Sequence, residues 1–185
     1  DPLGRLQRTN LYVTTSTFGS TAQAEQTAAM VRRVHERVTG TAPDGRPYSA
    51  QDPRLLLWVH IGLTDSMLVA YQRFGRGRVD GDQYVAEMAT LATALGVERP
   101  PQTVAELADA FDSFRDEVAG GPDARAVARF LRFPGRALPM GAWAPYEVLV
   151  RAATDLLPDW AHPCLGTTPR PALVQRGDAA TCAAA

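Results

Sequence analysis

Residues 53–74 constrain the fold of this chain most. Leu55, Leu56, Leu57, Trp58, Val59, Ile61, Leu63, Met67, Leu68, Val69, Tyr71 and Phe74 leave that stretch almost no polar face. Asp52-Pro53 supplies an N-cap with proline at the first helical position, and Gly75 closes the segment. A helix apolar on nearly every side belongs in the middle of a bundle. His60 lies inside it, on the stripe that i±4 and i+7 spacing shares with Leu56, Leu63 and Met67. Asp65 and Ser66 read as its other buried polar residues.

The punctuation elsewhere is also that of consecutive helices. Ser20 with Gln23 forms a capping-box pattern that opens a segment running to Gly40. Asp80 with Gln83 opens another, closed by Gly96, and Thr103 with Glu106 opens one closed by Gly120-Gly121. Shorter helices are expected over 123–132, 142–157 and 158–164, divided by Pro134, Pro139 and Pro158, and one more over 3–18. No run alternates with period two and no segment repeats, so the expected fold is all-α, a single-domain bundle of about six to eight helices. Residues 40–52 read as a long ordered loop or a hairpin turning at Asp44-Gly45. The expected domain spans residues 1–166. The Pro-, Gly- and Ala-rich stretch 167–185 reads as a disordered tail.

Composition removes whole classes of chemistry. All 19 basic residues are arginine, so there is no Schiff-base lysine and no Walker-A loop. A net charge of −1 gives nucleic acid nothing to hold, and Arg73, Arg76 and Arg78 read as a solvated helix end. Cys164 and Cys182 form no CxxC pair, so they do not read as zinc ligands, and they read as free thiols with a disulfide as the alternative. No apolar run approaches 18 residues and no charged-then-apolar leader opens the chain, so it reads as soluble and cytoplasmic, from a GC-rich bacterial gene.

Two of the three histidines are expected to face inward from consecutive helices: His60, and His35 on the stripe of Val31, Val34 and Val38. An unpaired polar group in an apolar core costs about 1–3 kcal/mol, so each needs a partner. That partner is a neighbouring carbonyl or carboxylate, or a metal or haem held between facing helices. Glu-x-x-His, zincin, GxSxG and dinucleotide-binding spellings are all absent. Arg32 shares the face of His35 at i,i+3, and reads either as a solvated arginine or as a partner for a carboxylate. Tyr48 reads as a staple of its loop, and His162 as a surface or capping residue.

The stretch VRRVHERVTGTAPDGRPYSAQDPRLLLWVHIGLTDSMLVAYQRFG, residues 31–75, resembles the core of the bacterial MpaB-type oxygenase family, which shares its catalytic domain with rubber oxygenase (latex-clearing protein). The pieces that carry the likeness are Arg-x-x-His at 32–35, Asp44-Gly45 with Tyr48-Ser49-Ala50, and Trp58-Val59-His60 preceded by Asp52-Pro53. The opening DPLGRLQRT and the late LLPDWAHPCLG are similar too, extending the resemblance over about residues 1–166. It implies an all-helical b-type haem oxygenase using dioxygen on a small or extended hydrophobic substrate, with His60 as the axial iron ligand. By the same resemblance Arg32 and His35 fall on the distal side: Arg32 holds a propionate or steadies His35, and His35 closes the iron's sixth position, hydrogen-bonds bound oxygen or only contacts the porphyrin. No glutamate upstream of Arg32 matches the base of rubber oxygenase, so cleavage of polyisoprene is not implied. The family's helical stretch before DPLGRL, with its His-Pro motif, has no counterpart, which leads us to expect an N-terminally truncated chain.

Three other readings compete. A non-enzymatic helical module for small molecules would have the same bundle without iron. A non-haem metal enzyme would need Asp65 near the histidines, and a truncated family member would be inactive.

Overall fold

The computed structural model describes residues 2–42, 44–134, 138 and 140–169. Among the described residues, eight α-helices, a short 3-10 turn (Met140–Ala142) and a two-stranded hairpin make up the regular structure, so the fold is all-α as the punctuation predicts. The expected tail lies outside the described residues from residue 170 onward.

The chain divides into two compact units. One comprises Asp1–Asp65 with Asp80–Asp112, and the other Ser66–Val79 with the chain from Ser113. The first unit contains α1 (Pro2–Phe18), α2 (Thr21–His35), the strands β1 (Thr39–Thr41) and β2 (Pro47–Ser49), the first part of α3 (Pro53–Phe74), α4 (Gly81–Leu95) and α5 (Val104–Asp112). Within it α2 packs on α1 and α4, and α4 packs on α5. Its core is made largely of small and branched side chains: Ala28, Ile61, Val85, Ala89, Ala92, Val97 and Leu107. Trp58 meets Phe111 edge-to-face with ring centres 5.8 Å apart, fastening α3 to α5. The second unit contains the end of α3 with α6 (Pro122–Arg132), α7 (Trp143–Asp155) and α8 (Ala161–Leu165), and α6 packs on both of the others.

The helix starts follow the predicted chemistry. Ser20 Oγ accepts from the Gln23 amide at 3.3 Å while Gln23 Oε1 accepts from the Ser20 amide at 2.8 Å, a complete capping box. Asp80 Oδ1 takes the amides of Asp82 and Gln83, and Asp52 Oδ1 takes that of Arg54. Gly96 ends α4 at φ 104°, a conformation that side chains avoid.

Two boundaries differ from expectation. Helix α2 stops at His35 rather than continuing to Gly40, because β-branched Val38 and Thr39 leave the helix for a hairpin. Ala50 donates to Val38 O at 2.9 Å, Ala42 to Arg46 O at 2.8 Å, and Gly45 turns the chain at φ 85°. Helix α5 ends at Asp112 instead of reaching Gly120-Gly121, and the chain turns with Phe114 buried. Tertiary burial overrides local propensity there.

Helix α3 has the predicted limits but is not sheathed on all sides. Ile61, Thr64 and Leu68 are buried, whereas Leu55, Met67 and Tyr71 are exposed and Val59 is 67% exposed. The valine stripe of α2 is likewise open at Val34 and Val38.

Candidate functional site

Two of the predicted site residues line one hollow. Arg32 and His35, at the C-terminal end of α2, line it together with Gln51 just before α3, Leu56 in its first turn, and Gly96 and Glu98 after α4. The hollow is open and measures about 300 Å³, the lower end of the range for small-ligand pockets. The absent side chain of Gly96 helps to form it, since a Cβ there would stand 3.8 Å from Leu56 Cδ1. Arg32 Nη1 donates to Ala94 O at 2.7 Å, tying α2 to the last turn of α4 and holding the guanidinium beside the opening. A guanidinium carries five N–H donors, so the others are left to face a ligand. His35 is half-buried at the edge of the same hollow.

His60 sits one turn beyond Leu56 on α3, facing the interior. It is 7% exposed, and its Nε2 is buried with no hydrogen-bond partner among the described residues. Burial holds its pKa below the ordinary histidine value of 6.5, so the ring is neutral near physiological pH. A neutral imidazole with a free lone pair is the state that binds a metal. Buried nitrogens without partners are uncommon enough in native folds that each calls for a physical reason.

Thr64, one turn further along α3, is fully buried, and its Oγ1 also lacks a partner. Helix side chains tilt toward the N-terminus, so the Thr64 hydroxyl leans back over the turn that carries His60. No sequence signal singles it out, because a helical threonine ordinarily bonds the carbonyl four residues back. Tyr12 and Ser16, one turn apart on α1, pair with each other through their hydroxyls, and burial raises the Tyr12 phenol above its usual range. Ser66, expected inside, is exposed. Asp65 is half-buried, and burial raises its carboxyl above the usual carboxylate range. Five positions separate it from His60, about 140° around the helix, so the two do not share a face. Among the described residues no group of three or more His, Cys, Asp or Glu side chains could hold a metal ion. His60 is not among the residues that line the hollow of Arg32 and His35, so the structure does not bring all three predicted site residues to one opening.

The third histidine caps, one of its two expected roles, but it is buried rather than on the surface. His162 is 3% exposed, with Nδ1 2.9 Å from Thr167 Oγ1, while its own carbonyl accepts from the Thr167 amide to close α8. It is a buried capping residue, satisfied locally. Tyr48 does act as a staple: its ring lies on Gly40, its partner across the hairpin, where a Cβ would fall 2.8 Å from Cε1.

A family model described as "ER-bound oxygenase mpaB/B'/Rubber oxygenase, catalytic domain" matches residues 1–185. The chain belongs to this family. It is thus an oxygenase catalytic domain, whose class of chemistry is oxidoreduction with dioxygen and an organic substrate. No curated protein and no solved structure matches the chain. For this mpaB/rubber oxygenase domain, no described helix is long and apolar enough to cross a membrane.

Proposed function

We propose that the chain is a haem-dependent oxygenase acting with dioxygen on a hydrophobic organic substrate, in which His60 would hold the iron of haem b. The partnerless, buried Nε2 of His60 carries this reading. A bound haem would supply the iron that activates dioxygen. The chain supplies the rest. Desolvation keeps the His60 imidazole neutral, so its lone pair is available without losing a proton first. Ile61 and Leu68 wall the same side of α3 with hydrocarbon and exclude water from it.

Arg32 and His35 carry the polar chemistry. Arg32, anchored on Ala94 O, presents its remaining N–H donors to a carboxylate such as a haem propionate. His35, half-buried beside it, can pass a proton between the hollow and solvent. Leu56, shared between the hollow's wall and the helix face of His60, gives an apolar substrate a surface to lie against.

Absorbance spectra of the recombinant protein loaded with haemin test the reading. Wild type is expected to show a Soret band with the spectrum of a histidine-ligated iron, and His60→Ala to lose that ligation. Identical spectra would remove His60 as the ligand. No haem binding by either protein would leave the ligand-binding module as the better account.

A further inference from the structure

The second unit contains a hollow that the oxygenase reading does not use. It measures about 280 Å³ and is lined by Arg125, Arg129, Arg132, Phe133, Leu165 and Gly166. The i, i+4, i+7 spacing sets the three arginines along one flank of α6. Among the described residues no acidic side chain lines the hollow, and none of the three arginines has an ion-pair partner.

On a bare helix this arrangement is unfavourable. Like charges at i,i+4 and i,i+3 repel. Arg129 and Arg132 in the last turn gain from the helix dipole, but Arg125, near the start of α6, gains nothing from it. Its stem passes the cap of α8, where a Cβ on Gly166 would stand 3.9 Å from Arg125 Cγ and Cδ. The guanidinium of Arg132 lies over the neighbouring Phe133 ring, its Cζ 5.5 Å from the ring centre. All three arginines are exposed, so their donors are open to a ligand.

The geometry points to a binding site for a compact phosphate monoester. Three guanidinium forks match a group with three acceptor oxygens and nearly two negative charges, better than they match a single carboxylate. Phe133, 64% exposed, and Leu165 offer an apolar floor for the small substituent on the ester oxygen. The monoester is either a soluble metabolite or a lipid headgroup.

Calorimetric titration at fixed ionic strength tests the site with inorganic phosphate, phenyl phosphate, benzoate, and phosphatidylcholine vesicles containing phosphatidic acid. Wild type binds phenyl phosphate saturably, more tightly than inorganic phosphate or benzoate. Replacing Arg125 and Arg129 together by Gln weakens binding by about tenfold or more, as expected on losing two charge-assisted contacts. Phe133→Ala removes the advantage of phenyl phosphate over inorganic phosphate but leaves phosphate bound. Binding to the vesicles alone, abolished by the same double variant, assigns the monoester to a lipid. Far-UV circular dichroism verifies the fold of each variant, and the single variant Arg129→Gln replaces the double if the latter loses helix. Without ligand at low salt, the folded arginine variant melts higher than wild type because its repulsion is relieved. A lower melting point would make the arginines structural and overturn the proposal. So would the absence of saturable binding by any phosphate probe, benzoate binding as tightly as phenyl phosphate, or arginine variants that bind as wild type does.

Discussion

At the scale of single residues, His60 and Thr64 set the terms. The imidazole of His60 resists protonation in the fold, whereas in the unfolded chain it titrates near 6.5. As pH falls, the unfolded state takes the proton first. The contribution of His60 is therefore full above about pH 6.5 and is lost as the pH drops below that value toward the folded pKa. Urea midpoints measured from about pH 7.5 to about pH 5 should fall in wild type and fall less in His60→Leu. Asp65 has the opposite sign: its share is full below 3.8 and lost as pH rises through its raised folded value, so Asp65→Asn isolates it. Thr64→Val removes a buried hydroxyl without a partner at nearly constant volume, and should stabilise the cofactor-free protein by about 1 kcal/mol in denaturant unfolding. Destabilisation would show that the hydroxyl has a bonding partner. The burial of His60 was legible because its stripe-mates are apolar and one helical turn away. Thr64 was not, since its oxygen gains meaning only when the carbonyl four residues back, that of His60, leaves it unbonded. His162 was misplaced because a helix of five residues is too short for periodicity to report burial.

At the scale of elements, capping residues foretold most helix starts, and stop signals were less reliable. Side-chain oxygens fix a start locally: Ser20 and Asp80 cap as their spelling predicts. An end depends on what the next segment gains. Val38 and Thr39 leave α2 for the hairpin, and burial of Phe114 accompanies the end of α5 well short of the glycine pair. Two glycines carry close approaches that only the fold reveals. A Cβ at Gly120 would lie 2.3 Å from Cys164 Cα and meet backbone that has no room to move, so Gly120→Ala should destabilise by about 3 kcal/mol or more. Gly40→Ala meets only the Tyr48 ring, which can swing away, and should cost about 1 kcal/mol. Thermal melts of the two variants check this order, and equal shifts would contradict it.

At the scale of the whole molecule, the all-α class and the family were both legible, because helix punctuation and the 31–75 pattern are local properties of the chain. What covers each helix was not. The apolar content of α3 implied enclosure on every side, yet Leu55, Val59 and Met67 meet solvent, because a hydrophobic pattern states what can be buried rather than what the other elements reach. The same limit applies to the arginines of α6, whose common hollow depends on α8 meeting that helix. Haemin titration of His60→Gly, with and without free imidazole, asks whether one nitrogen, His60 Nε2, holds the iron. The variant should lose the wild-type spectrum, and added imidazole should restore it by entering the space the side chain left. A His60→Gly protein that keeps the wild-type spectrum without imidazole would contradict that assignment.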